Sequence, residues 1–268
     1  MNLNKIAENV YVLEGAVNIG IIVDHGAAIL VDTGLGDTGV RKVRRWLAEN
    51  GIDAIGIINT HSHADHFGGN SFLVKKFPDI KVFAPEIEDA FIRYPLLEPA
   101  FLYGAYPPEE LMTGFLMAEP SPVHETLLEG ELKVGGIELE IISIPGHSFN
   151  QMGVIYKNVF FVADALFVPD LIDKYRILFF VDFEMWVETL EKLKNFESYR
   201  IVLGHRTWGG SISQLVDINL KHLEEIRGTV SNCMPDPFDC VFKRLNIPDD
   251  PVSRALAGTS IKAVMKTL

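Results

Sequence analysis

A short histidine-rich stretch carries the residues of this chain that are best suited to chemistry. It reads Thr60-His61-Ser62-His63-Ala64-Asp65-His66-Phe67-Gly68-Gly69 and contains the pattern His-x-His-x-Asp-His. Imidazole nitrogens and carboxylate oxygens are ligands for zinc, manganese or iron. Four such donors packed this tightly can hardly all face one ion, so the pattern indicates two metal ions side by side. Two ions need further ligands from elsewhere in the chain.

Three further candidate ligands each follow a predicted apolar strand. His147 stands in the turn Pro145-Gly146-His147, Asp164 follows an apolar hairpin strand, and His205 follows the last apolar strand of the chain. A single histidine after a strand is most often structural, but these three donors occur together with the cluster. The full set fits two ions that share a bridging carboxylate. The predicted metal ligands are His61, His63, Asp65, His66, His147, Asp164 and His205.

One more carboxylate and three more histidines need an interpretation. Asp32 ends a predicted strand in Asp32-Thr33-Gly34, at the strand edge where α/β proteins place their sites. His25 lies in a turn and His124 in an irregular segment, and we expect both to face solvent. His222 falls on a helix whose pattern predicts that it, too, faces outward.

The first part of the chain alternates between strands and helices. Apolar runs predict strands, and a helical spacing followed by Gly51 predicts a helix that ends there. A second helix follows Gly68-Gly69 and ends before Pro78. This order is an α/β pattern. The predicted strands cover residues 10–13, 19–23, 27–31, 52–59 and 80–84, and the first helix covers residues 37–50.

The segment 85–131 breaks this pattern. It is rich in proline and in aromatic residues, and it shows no clear element. A long irregular segment inside a compact domain is more often functional than structureless. We expect either a lid or substrate wall, or aromatic residues that pack on the sheet or form a subunit interface.

Regular elements return after residue 131. Two hairpins are predicted, around Gly135-Gly136 and around Lys157-Asn158, followed by helices over 183–193 and 211–227. The tail, 237–268, predicts two or three short helices. We therefore expect a domain over residues 1–209, with the segment 85–131 inserted into it, and a helical extension over residues 210–268.

Composition places the chain among folded proteins and sets expectations about its location. Of its 268 residues, 48% are hydrophobic and 22% charged, and the net charge is −12. The acidic balance argues against nucleic-acid binding. Neither a basic-then-apolar leader nor an apolar run long enough for a bilayer is evident, so we expect a cytoplasmic protein without membrane contact. In that compartment Cys233 and Cys240 are expected to be reduced thiols.

The set of motifs resembles the metallo-β-lactamase superfamily. The resemblance covers residues 32–205 and all five motifs in order: Asp32, the complete His-x-His-x-Asp-His, His147 in its Pro-Gly-His turn, Asp164, and His205 after a glycine. It implies a four-layer αββα sandwich of two mixed sheets. It further implies that His61, His63 and His147 bind one metal, that Asp65, His66 and His205 bind the other, and that Asp164 bridges them.

The resemblance also implies a reaction. In such proteins Asp32 orients a ligand or bound water, and we assign catalytic roles to Asp32 and Asp65. Two divalent metals, with zinc expected and iron or manganese as alternatives, would supply a metal-bound hydroxide near neutral pH. This nucleophile would attack an ester, thioester or lactone bond of a small-molecule substrate. The aromatic residues of the segment 85–131 would also suit the interface of a homodimer.

Several branches of this superfamily are less compatible with the sequence. The expected absence of a leader argues against a secreted antibiotic-degrading enzyme, the acidic charge against a nuclease, and histidine at position 63 against a flavodiiron oxidoreductase. Glyoxalase II-like thioesterases and lactonase-like enzymes remain, although Gly204-His205-Arg206-Thr207-Trp208 departs from the glyoxalase pattern. The alternatives are a mononuclear-iron persulfide dioxygenase and a non-catalytic binding module of the same fold.

Overall fold

The computed structural model describes residues 3–268 and contains two β-sheets. In the first sheet the strands lie side by side in chain order, with antiparallel pairs from β1 to β4 and parallel pairs from β4 to β7. Its strands are β1 (Leu3–Ala7), β2 (Val10–Leu13), β3 (Ile19–Asp24), β4 (Ala27–Val31), β5 (Asp53–Ile58), β6 (Lys81–Ala84) and β7 (Glu125–Thr126).

The second sheet has the strand order β12-β11-β10-β9-β8. Only β11 and β12 pair in parallel, and the other neighbours are antiparallel, so this sheet is mixed as well. Its strands are β8 (Gly130–Val134), β9 (Ile137–Ser143), β10 (Met152–Tyr156), β11 (Val159–Ala163) and β12 (Arg200–Leu203). The two predicted hairpins are β8–β9 and β10–β11.

The helices lie between and after the strands. They are α1 (Asp37–Glu49), α2 (Ala64–Phe67), α3 (Asn70–Lys76), α4 (Glu86–Arg93), α5 (Leu97–Tyr103), α6 (Pro169–Tyr175), α7 (Phe183–Leu193), α8 (Ile212–Ser231), α9 (Pro237–Leu245) and α10 (Pro251–Met265). Single 3₁₀ turns occur at Glu109–Leu111 and Lys194–Phe196. Within residues 3–268, no helix is both long and apolar enough to cross a bilayer.

Three apolar layers hold the sheets and helices together. Between the sheets, Ile29 and Ile58 of the first sheet pack with Ile141 and Val154 of the second. On the outer face of the first sheet, α1 and α3 cover β4 and β5. On the outer face of the second sheet, α7 and the helices after it cover β9 to β11. Strands buried on both faces must be apolar on both, which explains their continuous apolar runs. The predicted αββα sandwich of two mixed sheets is confirmed.

The segment 85–131 is more regular than the sequence analysis expected. It contains α4 and α5, so the prediction that it lacks clear elements was wrong. Its prolines mark helix starts: Pro85 is the N-cap of α4, and Pro99 lies in the first turn of α5, where a missing N–H costs no helical hydrogen bond. The sequence analysis also missed β1, a half-exposed edge strand, and α6, which begins at Pro169.

The tail folds as two helices that extend the outer helical layer. Residues of α8, α9 and α10 belong to the same apolar core as α7 and the second sheet. The division into residues 1–209 and 210–268 stays a prediction. Cys233 and Cys240 form a disulfide, which corrects the expectation of free thiols. The turn between α8 and α9 brings their Cα atoms to 5.7 Å, within the range that a disulfide spans.

The three histidines outside the predicted ligand set differ in exposure. His25 and His124 are exposed, as expected. His222 is buried, with 7% of its surface exposed, so the prediction that it faces outward was wrong. The physical reason is that α8 lies between neighbours and contacts α7, α9 and α10, which leaves it little outward face.

Candidate metal centre

The structure brings all seven predicted ligands and Asp32 to one edge of the sandwich. Asp32 follows β4, the histidine cluster follows β5, and Asp164 and His205 follow β11 and β12. His147 stands in the loop between β9 and β10. Their ligand atoms form overlapping groups, each within 4.8 Å: His61 with His63 and His147, Asp65 with His66 and His205, and Asp32 with His61 and His66.

The first group places three imidazole nitrogens around one point. Nδ1 of His63 lies 3.0 Å from Nε2 of His61 and 3.0 Å from Nε2 of His147. The other nitrogens have partners outside the group. Nδ1 of His61 lies 3.0 Å from the Thr60 hydroxyl, and Nδ1 of His147 donates to the Phe179 carbonyl at 2.8 Å. With these partners, the lone pairs of His61 Nε2 and His147 Nε2 face inward, as metal binding requires.

The second group is arranged in the same way. Nε2 of His205 lies 3.6 Å from a carboxylate oxygen of Asp65, and its Nδ1 donates to the Ala16 carbonyl at 2.7 Å. His66 directs Nδ1 to a carboxylate oxygen of Asp32 at 2.8 Å. Its Nε2 therefore faces the interior of the site.

Asp164 lies between the two groups. One carboxylate oxygen is 3.4 Å from Nε2 of His66, and the other is 3.6 Å from Nε2 of His147 and 3.2 Å from Nε2 of His205. The buried atoms His66 Nε2 and Asp164 Oδ1 have no hydrogen-bond partner within residues 3–268. Buried polar atoms need a partner, so these two atoms fit a cation bound among them. The donor set thus fits two divalent metals.

Asp32 supports the site from behind. Its carboxylate accepts hydrogen bonds from the backbone N–H and the hydroxyl of Thr60, each at 2.8 Å, besides its contact with His66. Because both oxygens are engaged, the geometry supports an orienting role, although Asp32 also falls within one of the ligand groups. Asp32 has a φ of 58° and Ala163, next to Asp164, a φ of 45°. Such left-handed backbone is strained for these residues and clusters at functional sites.

Two glycines allow the ligand loops to approach their neighbours. Gly146, before His147, has a φ of +120°, and a Cβ there would collide with the backbone of Trp186. Gly204, before His205, has no room for a Cβ because Asp164 lies against it. The Pro-Gly-His turn and the Gly-His pair therefore have a steric cause.

The two sides of the site differ in the charge of their own side chains. Burial, together with neighbouring imidazoles, lowers the pKa of His63 and of His147 to about 3 each and lowers the pKa of His61 as well. These three imidazoles are therefore neutral at pH 7, the state that binds metal.

The second side is dominated by carboxylates. Burial alone would lower the pKa of His66 and of His205, but Asp164 and the other acids outweigh it, and the pKa of His205 rises to about 9. Burial alone would raise the pKa of Asp164, yet His205 and His66 hold it well below its usual range. This excess of acidic groups attracts cations.

The sequence analysis missed two buried glutamates beside the site. Glu88 of α4 is fully buried and accepts hydrogen bonds from the backbone N–H and hydroxyl of Ser62, from the Ser148 hydroxyl at 2.7 Å and from the Asn150 N–H at 3.0 Å. It joins the loop of His61 and His63 to the loop of His147. A sequence signal existed, because Glu88 stands four residues before the buried Ile92 on one face of α4.

Glu98 of α5 is the second missed residue. Its side chain is 9% exposed, and its carboxylate lies 3.8 Å from Nε2 of His63. Burial, with further contributions from Glu88 and Asp65, raises the pKa of Glu98 to about 8. Glu98 lines a pocket that opens onto the metal centre. The glutamate before Pro99 carries no sequence pattern that reveals this position.

Comparison with known protein families identifies the fold family. The family model of the metallo-beta-lactamase superfamily matches residues 12–205. This chain belongs to that superfamily. The matched range contains every predicted ligand, the second half of β2 and all strands from β3 to β12, so it includes the part of the fold that builds the metal centre.

Curated relatives in this superfamily match part of the chain. A hydroxyacylglutathione hydrolase of Nitrosomonas europaea is 30% identical over 149 residues, which are 56% of this chain and 45% of that protein. A probable metallo-hydrolase of Methanocaldococcus jannaschii is 32% identical over 146 residues, which are 52% of this chain and 62% of that protein. The chain thus matches about half of the length of these relatives.

Solved structures share the fold over nearly the whole chain. A metallo-beta-lactamase family protein of Thermus thermophilus superposes with a TM-score of 0.75 at 20% identity, covering 98% of this chain and 94% of the other. A beta-lactamase domain protein of Burkholderia ambifaria gives a TM-score of 0.74 at 16% identity, covering 100% of this chain and 87% of the other. At these identities the likeness establishes the fold alone.

Proposed function

We propose that this chain is a metal-dependent hydrolase that cleaves ester, thioester or lactone bonds of a small-molecule substrate at a site for two divalent metals. The observation that carries the proposal is the convergence of seven donor side chains, with the Asp164 carboxylate within 3.6 Å of imidazoles from both groups. Zinc suits a set of imidazoles and carboxylates, and iron and manganese bind similar sets.

The residues divide into two sets of ligands with one residue between them. His61, His63 and His147 would hold one ion, and Asp65, His66 and His205 the other. Asp164 would contact both, because its Oδ2 atom lies near His147 of the first group and near His205 of the second. When bound, such ions lower the pKa of water to about 7 and polarise a carbonyl oxygen.

Two carboxylates have proposed roles beyond metal binding. Asp32 holds His66 in one orientation through Nδ1, so that Nε2 stays directed into the site. Asp65 lies at the pocket wall with its carboxylate partly accessible, where it can hold a proton that the reaction releases. Both groups would act on the orientation or proton balance of the site rather than on the acyl group directly.

Metal analysis tests the proposal at its first step. We expect two zinc ions per chain in protein purified without chelator, and hydrolysis of ester, thioester or lactone substrates. One iron per chain with oxygen consumption on a persulfide substrate would instead support the dioxygenase alternative. A chain that binds no metal after zinc addition would support a non-catalytic module.

A substitution in the first ligand group tests the assignment of the residues. We expect His61→Ala to abolish turnover and to reduce zinc content from two ions to about one, since it removes one of three imidazoles around that ion. His25→Ala is the matched control, because the His25 side chain is 82% exposed and belongs to none of the ligand groups. Metal content is measured by plasma emission spectrometry. Near-wild-type hydrolysis by His61→Ala would contradict the assignment.

A further inference from the structure

The pocket beside the metal centre has an apolar wall. It encloses about 790 Å³ of empty space, counting its open mouth. The wall comes from three parts of the chain: the segment 85–131, the loops around α6, and α10. The apolar side chains that the argument uses are Phe115, Leu116, Phe167, Ile177, Phe179 and Leu256.

The charges of this wall are acidic. Asp65 and Asp164 are predicted metal ligands, which leaves Glu98 as the additional carboxylate of the wall. Among the pocket-lining residues in the described part of the chain, none is lysine or arginine. The Glu98 side chain is 91% buried and makes no hydrogen bond to any residue between 3 and 268. Its carboxylate faces the pocket beside Nε2 of His63, which lies 3.8 Å away.

This wall is unfavourable for a negatively charged group. A carboxylate that leaves water for an apolar surface loses its hydration, and the penalty is several kcal/mol unless a counter-ion replaces it. An ionised Glu98 would repel the incoming carboxylate, and a neutral Glu98 would not balance its charge. Whether Glu98 is ionised or neutral, the wall disfavours a substrate carboxylate.

We propose that the substrate places an uncharged aliphatic or aromatic acyl group against this wall, so that the enzyme hydrolyses neutral esters, thioesters or lactones and discriminates against acyl groups that end in a carboxylate. This inference rests on the proposed function. In the reaction the acyl C–O or C–S bond breaks, the water oxygen bonds to the acyl carbon, and the alcohol or thiol leaves with a proton from water.

The inference concerns the acyl side of the substrate, whereas in the glutathione thioesters named for curated relatives the charged groups lie on the leaving thiol. A glutathione thioester carries two carboxylates and an ammonium group, and a site for it needs cations. Lys174 is a cation close to the pocket, and its Nζ donates to the Tyr175 hydroxyl at 3.1 Å. Lys174 is itself exposed and does not line the pocket, so it stands at the mouth, next to Tyr175, rather than against the wall.

A matched pair of substrates tests the inference. The esters are 4-nitrophenyl hexanoate and the mono-4-nitrophenyl ester of adipic acid, which have acyl chains of equal length and differ in the terminal carboxylate. With the zinc-loaded protein we expect kcat/KM for the hexanoate to be about 100-fold higher, as burial of an unpaired charge requires. A ratio below about tenfold would overturn the inference. So would efficient adipate hydrolysis that Lys174→Ala removes, because the mouth would then recruit anions.

Wall variants separate the pocket from the overall negative charge of the protein. We expect Leu256→Lys, or Phe115→Lys at a position 47% exposed, to reduce the preference for hexanoate at least tenfold by supplying a counter-ion. Leu128→Lys is the control, since Leu128 is 69% exposed and does not line the pocket. An equal effect of Leu128→Lys would overturn the inference, because long-range charge would then explain the preference. Circular dichroism and residual hexanoate turnover establish that each variant folds.

Binding of non-reactive amides distinguishes this inference from the proposed function. The 4-nitroanilide of hexanoic acid and the mono-4-nitroanilide of adipic acid are titrated into zinc-loaded protein by calorimetry. We expect at least tenfold tighter binding of the hexanoic anilide. If neither ester is hydrolysed while this preference holds, the hydrolase proposal fails and the pocket inference stands. Equal affinity for the two anilides would overturn the pocket inference even if the esters are hydrolysed.

Discussion

At the residue scale, the imidazoles of the centre use one nitrogen for the site and the other for a fixed partner. His147 donates to the Phe179 carbonyl, His205 to the Ala16 carbonyl, and His66 pairs with Asp32. Such contacts choose the tautomer and fix the plane of each ring before a metal binds. Metal binding therefore costs little further side-chain conformational entropy.

Glu88 extends this fixation to the loops themselves. Its carboxylate accepts from four donors in the described chain: two groups of Ser62, the Ser148 hydroxyl and the Asn150 N–H. In Glu88→Gln the amide NH₂ would face donors, and at least one buried donor would lose its acceptor at a cost of about 1–3 kcal/mol. We expect metal affinity to fall about 10–100-fold. Competition for zinc with a chromogenic chelator measures this change.

The control for this substitution lies on the same helix. Glu86 is exposed on α4, so Glu86→Gln makes the same chemical change without affecting the loops. We expect wild-type zinc affinity for Glu86→Gln. If Glu88→Gln binds zinc as tightly as Glu86→Gln, Glu88 does not position the ligand loops.

At the scale of elements, the pocket wall is shared between the inserted segment and the tail. Leu102 of α5, together with Leu111 and Leu116, packs with Phe179 and with Leu256 of α10 in a small apolar cluster of its own. The segment 85–131 is therefore anchored on the C-terminal helix rather than on the sheets alone. We therefore expect substitutions in the part of α10 that packs in this cluster to alter the pocket wall.

The sequence predicted those parts of the molecule that depend on local patterns. Each predicted ligand follows an apolar strand or turn, and such strands are recognised from neighbouring residues alone. Glu98, the burial of His222 and the disulfide of Cys233 escaped prediction because each depends on which helix packs against which. Prolines at 85 and 99 were misread as loop signals, since a proline opens a helix as readily as it ends one.

The wall position of the segment 85–131 leads to a prediction about two aromatic residues. Phe115 lines the pocket, whereas Tyr106 is 75% exposed and lies outside the lining. We expect Phe115→Ala to raise KM for 4-nitrophenyl hexanoate several-fold, because part of the apolar contact is lost, with zinc content unchanged. Tyr106→Ala should leave KM within about twofold. Steady-state kinetics that show the reverse order would place the wall elsewhere in this segment.

At the scale of the whole molecule, the acidic surface favours protonated histidines, whereas burial favours neutral ones. The chain carries a net charge of −12, yet buries several histidines that must stay neutral in the folded state. The homodimer stays a prediction. Three exposed aromatic residues on α5 and after it are compatible with such an interface: Phe101, Tyr103 and Tyr106. Protonation of those buried histidines whose pKa is lowered, such as His61 and His222, opposes folding as the pH falls.

His222 offers a way to measure this effect apart from the metal centre. Burial lowers the pKa of His222 below its ordinary 6.5, although Glu225 and Asp173 act in the opposite direction. The unfolded chain therefore binds a proton more readily than the folded one below about pH 6.5. Stability contributed by neutral His222 is complete above that pH and is lost as the pH falls, by at most about 1.4 kcal/mol per pH unit.

The measurement is urea unfolding of chelator-treated protein at pH 8.0 and pH 5.5. His222→Leu replaces the ring, whose Nε2 has no partner among the described residues, with an apolar side chain that does not titrate. We expect wild type and His25→Ala to lose the same stability between the two pH values, since His25 is exposed, and His222→Leu to lose less. The metal-site histidines contribute equally in all three proteins and cancel in the comparison. Equal losses of stability in all three proteins would mean that protonating His222 does not destabilise the fold, because Glu225 or Asp173 compensates the positive charge.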